Sequence, residues 1–209
     1  FLQTLYNLGP APEPNMTVLW HPQLPEGFKE FCAKVSIETS SVQYENDSLM
    51  RKVRGCDDYG IACCVSYQAI GKAIQFFGAR ANLAKALLLA INEGRCENTG
   101  TLMVEGIKPL SSDVLDFDEV MDNYKKVLHE VARVYNETMN IIHFMHDKYD
   151  YEKSQMAFID TDPKINLAYG VAGLSIVADS LSAIKHAKVT ARRNADGLTE
   201  GFDIEGSFP

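Results

Sequence analysis

The chain has 209 residues and a net charge of −8, from 20 lysines and arginines against 28 aspartates and glutamates. This acidic balance argues against nucleic acid or an anionic membrane surface as a main partner, because both call for a basic face. A small anionic substrate remains compatible, since one local arginine can act within an acidic protein. The length suits one large domain, and 46% apolar with 23% charged residues is an ordinary globular balance. No apolar run reaches the roughly 18 residues of a membrane span, and Asn82 and Lys85 interrupt the longest candidate at residues 81–91. No leader peptide is visible. The chain opens at Phe1 and stops after Gly206-Ser207-Phe208-Pro209, so both ends read as cut from something longer. The five cysteines, Cys32, Cys56, Cys63, Cys64 and Cys96, are odd in number and contain no CxxC pair. That suits neither a disulfide framework nor a structural zinc site, and fits a reducing, cytoplasmic compartment.

Residues 2–8 read as the end of a helix, broken by the Gly- and Pro-rich residues 9–15. Residues 16–20 are a short apolar run that predicts a buried strand, and 22–27 a turn. Residues 28–33 predict a helical turn or two leading into a strand at 34–38, and 40–54 a polar segment, loop-like or partly helical. The compact apolar run 59–66 has the length of a buried strand. Helix signals follow over 78–93, with Leu83, Leu87 and Ile91 on one face and Gly94 as the stop. Residues 95–112 are a connector without a period.

The clearest helix spans 117–149, where Val120, Tyr124, Val127, Val131, Val134, Thr138, Ile142, Met145 and Tyr149 form one continuous stripe. Asp113, Asp116, Asp118 and Glu119 put negative charge near its start, where the macrodipole favours it. A second helix is predicted to begin at Asp162-Pro163 and to bury Leu167, Val171, Leu174, Ala178 and Leu181. Gly170 and Gly173 inside it imply close packing. Residues 188–192 and 201–204 read as a hairpin around Ala195-Asp196-Gly197. No repeat, low-complexity segment or convincing linker divides residues 1–209.

Cys63-Cys64 is the feature with the most chemistry to offer. Neighbours on a strand project to opposite faces, so the pair would put one sulfur on each side of the backbone. Their Cα atoms are about 3.8 Å apart, short of the usual disulfide range. Two thiols back to back can pass a radical or an acyl group between two sites. Two buried cysteines can equally act as small apolar residues. His143 and His146 are spaced i, i+3 without a third ligand, which reads as packing or helix hydrogen bonding, not a metal site. Cys32, Cys56 and Cys96 have no partner in the sequence, and Asp160 with Asp162 reads as a helix cap.

The runs PEPNMTVLW, AKVSIETSSVQYEND, DDYGIACCVS, QFFGARANLAKALL, NIIHFMHDKYDYE, GVAGLSIVADSLSAIKHAKV and GFDIEGSFP together resemble the pyruvate formate-lyase (formate acetyltransferase) family of glycyl-radical enzymes. The resemblance covers essentially the whole chain. Adjacent cysteines are specific to it, since the related diol and glycerol dehydratases use a single cysteine there. It implies an α/β fold, part of a ten-stranded α/β barrel that is helix-rich in this segment, with the cysteines on a central loop. Residues 1–209 would then be an internal segment of one catalytic domain, with no second domain.

The implied chemistry is radical cleavage of pyruvate with coenzyme A to acetyl-CoA and formate. Cys64 relays the radical from a glycine elsewhere, and Cys63 attacks the pyruvate carbonyl and keeps the acetyl group as a thioester. Arg80, in QFFGAR, would bind the pyruvate carboxylate, and Phe77 would pack against the substrate. The resemblance further implies a radical S-adenosylmethionine activating enzyme, a homodimer, no metal and a cytoplasmic setting.

Two departures stand out. The family's radical glycine lies in an RVSGYA-like motif that is absent here, so this segment alone is expected to be inactive. As a piece of a closed barrel, with strand edges and apolar helix faces exposed, it is also expected to be unstable or to aggregate. Tyr67-Gln68 stands where the family usually has Pro-Met, which leaves 2-oxobutyrate open as a substrate in place of pyruvate. A truncated, non-catalytic homologue is the non-enzymatic alternative.

Overall fold

The computed structural model describes residues 1–11, 14–62, 66–76, 79–149 and 164–209. In chain order the elements are α1 (Leu2–Leu8), β1 (Met16–Trp20), α2 (Glu26–Glu38), β2 (Val42–Asn46), α3 (Asp47–Arg54), β3 (Tyr59–Ala62), β4 (Ser66–Ala69) and β5 (Ala73–Phe76). There follow β6 (Arg80–Asn82), α4 (Leu83–Ile91), α5 (Phe117–Lys148), β7 (Lys164–Leu167), β8 (Gly170–Ala172), α6 (Leu174–His186), β9 (Lys188–Arg193) and β10 (Thr199–Glu205). The content is mixed α/β. Among the described residues the strands form one four-stranded and three two-stranded sheets, and no closed barrel. Two compact units result, Phe1–Phe76 with Tyr149–Leu167, and Phe77–Lys148 with Ala168–Pro209.

In the first unit, β1 and β2 pair in parallel from Met16↔Val42 to Trp20↔Asn46. A parallel pair needs a crossover, and α2 supplies it. The strand expected at 34–38 is instead the end of this helix. Its burial shows why: Cys32 and Val35, three apart, are both 0% exposed, while Ile37 is 85% exposed. A strand would turn Val35 and Ile37 to one face. Leu2, Leu5 and Val18 complete this core. The polar segment 40–54 holds both β2 and α3; the Asn46 side chain caps α3 by accepting the Leu49 N–H at 3.0 Å.

The apolar run 59–66 is not one strand. β3 ends at Ala62, and Ser66 belongs to the antiparallel strand β4, paired opposite Ala62. An unbroken apolar run carries no signal of where pairing reverses. β5 then joins β4 antiparallel and β7 parallel.

In the second unit, α4 buries Ala86, Leu87, Leu89, Ala90 and Ile91. The helix expected from residue 78 begins only at Leu83, because Asn82 is its extended N-cap and accepts the Lys85 N–H at 3.1 Å. Beyond α4, Gly94 has φ +80, and a Cβ there would lie 1.9 Å from the Val104 carbonyl oxygen. Only glycine fits.

The long helix α5 starts where Asp116 Oδ1 accepts the N–H groups of Asp118 and Glu119, both at 3.0 Å. Its stripe holds for Val120, Tyr124 and Val127, which are buried. It fails further on: Val134 is 45% and Tyr149 65% exposed, and Met139 is the buried residue. Periodicity does not say where the packing partners end.

The helix expected from Asp162-Pro163 is also corrected. Those two residues lie outside the described ones, residues 164–167 and 170–172 are strands, and α6 starts after Gly173 at φ +79. Its buried residues are Val177, Ala183 and Ile184, whereas Val171 and Leu174 are exposed. The close packing inferred from the glycines holds at Gly173, where a Cβ would lie 3.2 Å from Ala84 Cβ. The hairpin forms as expected, with β9 and β10 antiparallel from Glu205↔Lys188 to Thr199↔Arg193.

Candidate active site

Three of the four residues singled out, Cys63, Cys64 and Phe77, lie outside the described residues. In the first unit, the strands that flank the two cysteines in sequence are described. Tyr59 opens β3, and its hydroxyl donates to Asp47 Oδ1 at 2.8 Å while Arg51 Nε donates to Asp47 Oδ2 at 2.9 Å. Asp47 opens α3, so the strand leading to Cys63 is tied to that helix through a buried carboxylate. The Tyr59 hydrogen bond, ahead of the Arg51 guanidinium, holds the Asp47 carboxyl below the usual range. Burial, then the Asp47 charge, pushes the Tyr59 phenol well up. On β4, the Tyr67 ring stacks on Tyr59 at 5.8 Å, and the Arg54 guanidinium lies 4.7 Å from its centroid.

The fourth residue, Arg80, is described: it belongs to the second unit, is exposed and opens β6. This strand pairs in parallel with β8 through Arg80↔Gly170, Ala81↔Val171 and Asn82↔Ala172. The carbonyl of Ala79, just before Arg80, accepts a hydrogen bond from the Tyr135 hydroxyl on α5. The same hydroxyl accepts from the Gly170 N–H at 3.0 Å. A guanidinium is permanently charged and forked, a shape that matches a carboxylate bidentately.

A sequence model of the family described as pyruvate formate lyase-like matches residues 1–209, the whole chain. The chain belongs to this family. It is also similar to "Formate acetyltransferase 1" of Escherichia coli (strain K12), with 56% identity over 209 residues, 100% of this chain and 28% of the relative. The chain thus spans little more than a quarter of that relative's length.

For a pyruvate formate-lyase-like chain, sequence reasoning missed Asp47, Tyr59 and Tyr135. No periodicity marks them, because each acts on a group distant in sequence. Away from these residues, the Cys96 thiol is pulled down to about 7 by hydrogen bonding from Thr99 and by the Lys85 ammonium, whose Nζ is 3.1 Å from Sγ. Lys85 also contacts the Glu97 carboxylate. Cys32 is buried, and burial pushes its thiol up. Among the described residues no group of three or more His, Cys, Asp or Glu could hold a metal, and no helix is long and apolar enough to cross a membrane.

Proposed function

We propose that the chain is the cysteine-bearing segment of a formate C-acetyltransferase, which cleaves pyruvate with coenzyme A to acetyl-CoA and formate. The observation that carries this reading is the 56% identity along the entire chain to a formate acetyltransferase, read together with the adjacent Cys63-Cys64. In this reading residues 1–209 are an internal part of one catalytic domain, a ten-stranded α/β barrel completed by sequence outside them.

Cys64 gives its thiol hydrogen atom to a glycyl radical held elsewhere in the enzyme. The resulting thiyl radical takes the thiol hydrogen atom of Cys63, so that Cys64 is a thiol again and Cys63 carries the radical. The Cys63 sulfur adds to the keto carbon of pyruvate. The carbon–carbon bond then breaks homolytically, leaving the acetyl group on Cys63 as a thioester. The departing one-carbon radical takes the hydrogen atom of the Cys64 thiol and becomes formate. The Cys64 thiyl radical takes a hydrogen atom back from the glycine, which restores the glycyl radical. Coenzyme A receives the acetyl group by thioester exchange, and Cys63 recovers its thiol. Splitting the reaction at a covalent thioester divides one hard step into two easier ones. Arg80 holds the substrate carboxylate and Phe77 packs on the substrate beside it. A radical S-adenosylmethionine enzyme installs the radical, and the working enzyme is a cytoplasmic homodimer.

Thiol mass spectrometry of the full-length, radical-bearing enzyme, treated without oxygen with pyruvate and no coenzyme A, tests this. The expected result is an acetyl group on Cys63 that disappears in Cys64→Ser. An enzyme that carries its radical yet leaves Cys63 unmodified would be a non-catalytic homologue, and the reading would be wrong. Because Tyr67-Gln68 borders the cysteine pair, 2-oxobutyrate is offered in parallel. Propionylation that outcompetes acetylation would reassign the substrate.

A further inference from the structure

We propose that Tyr135 is a positioning residue for Arg80, fixing the direction in which its guanidinium meets the substrate carboxylate. This rests on the reading of Arg80 given above. The strand that carries Arg80 has three residues and pairs only with β8 among the described residues. Such a short, two-stranded pairing is a weak hold for a side chain whose fork must be aimed to within about half an ångström. The far end of the strand is secured by Asn82, which caps α4.

Among the described residues, the Tyr135 hydroxyl secures the near end. Tyr135, from the middle of α5, donates to the Ala79 carbonyl and accepts from the Gly170 N–H at 3.0 Å. The Ala79 carbonyl belongs to the peptide group that ends at the Arg80 nitrogen, and Gly170 is the residue paired with Arg80. Both strands are therefore gripped at the level of Arg80 by one phenol, through its donor and an acceptor lone pair. Rotation of the Ala79–Arg80 peptide would redirect the Arg80 side chain, and the Tyr135 hydrogen bond opposes it. The ring is itself held edge-on by Tyr169, with centroids 5.0 Å apart and planes at 77°. The Tyr169 hydroxyl donates to Asn136 Oδ1 at 2.7 Å, one position along α5. Phenylalanine fills the same space as Tyr135 and makes neither backbone bond.

The test uses full-length, radical-bearing enzyme with rates normalised to radical content. Tyr135→Phe is expected to raise KM for pyruvate by about three- to tenfold, the worth of one misdirected hydrogen-bonded contact, with kcat and KM for coenzyme A near wild type. KM does not depend on how much enzyme is folded, so partial misfolding does not imitate this split. Arg80→Ala is measured beside it, and so is the double variant. If Arg80→Ala raises KM and Tyr135→Phe adds nothing in that background, the two act as one unit. If Arg80→Ala raises KM but Tyr135→Phe does not, or if the two effects simply add, Tyr135 is only a staple between strands and the proposal fails alone. If Arg80→Ala leaves KM unchanged, the reading of Arg80 falls and this inference with it. Should Tyr135→Phe not fold, Tyr169→Leu keeps the hydroxyl but removes its ring support. It is expected to raise KM in the same direction by a smaller factor, and an unchanged KM there would overturn the proposal.

Discussion

Asn92 and Thr199, 107 positions apart in the chain, are joined at a single oxygen: Asn92 Oδ1 accepts the Thr199 N–H at 3.0 Å and the Thr199 hydroxyl at 2.8 Å. Arg193 adds a longer bond to the same oxygen at 3.4 Å, and its Nη2 donates to the Ile91 carbonyl at 3.2 Å. Asn92 is 0% exposed and Thr199 6%. This contact fastens the hairpin β9–β10 to the end of α4. Asn92→Ala leaves the Thr199 amide buried without an acceptor, a penalty of about 1–3 kcal/mol for each orphaned group. The expected loss is about 2–4 kcal/mol, seen as faster amide exchange at Thr199 and a lower melting temperature in the full-length enzyme. Unchanged exchange at Thr199 would show that the other holds on the hairpin, the Arg193 bond to the Ile91 carbonyl among them, suffice without Asn92.

This contact could not be foreseen, because no local pattern connects residues so far apart. What the sequence did make legible were elements with their own period or punctuation: the run Met16–Trp20, the start of α5 and the hairpin at its Asp-Gly turn. Val35 and Ile37 show the limit, since apolar residues two apart suit a strand until it is known that only one of them is buried. The two glycines at 170 and 173 were visible, but as interruptions of a helix and not as the boundary of one. Of the candidate site residues, Cys63, Cys64 and Arg80 were legible because they sit in recognisable words. Tyr135 was not, because its partners are backbone groups 56 and 35 positions away.

The Asp47 carboxylate sets a pH dependence in the unit that leads to the cysteines. Its pKa is lowered in the folded state, chiefly by the Tyr59 hydroxyl and then by Arg51. A lowered carboxylate pKa contributes stability above the unfolded value of about 3.9, and the contribution is lost as pH falls through the lower folded value. Asp47→Asn should therefore lower the melting temperature at neutral pH, and the gap to wild type should close below about pH 4. Melting curves across that range decide it. Two curves that stay parallel in acid would mean that Asp47 acts through its shape and not its charge.

Cys96 should be an alkylation site separate from Cys63 and Cys64. Its thiol is pulled down to about 7, first by the Thr99 hydrogen bond and then by Lys85. The thiolate is the reactive form, so its rate with iodoacetamide should rise with pH, pass half its maximum near that value and then level off. Thr99→Ala and Lys85→Met should each move the midpoint up toward an ordinary thiol. Cys32, buried with its thiol raised, should stay unmodified in the folded protein and serves as an internal control. Peptide mass spectrometry over a pH series reads both sites at once, and a midpoint unmoved by either substitution would overturn the assigned cause.

Residues 1–209 in isolation should associate with themselves and form no acetyl-CoA. In one unit, α6 presents Leu174 at 64% and Ile176 at 59% exposure, and α5 presents Ile141 and Phe144, each at 63%, with Met145 at 40%. The three on α5 lie three and four positions apart, so they share one helix face. Apolar faces of this kind on a soluble chain mark contact surfaces or become sites of association, and this chain is 28% of the length of its formate acetyltransferase relative. Size-exclusion chromatography with light scattering should report oligomers or aggregate, reduced when Ile141 and Phe144 are both changed to lysine. A monodisperse monomer with a cooperative melt would show that these faces tolerate water, and that the segment folds as an independent body.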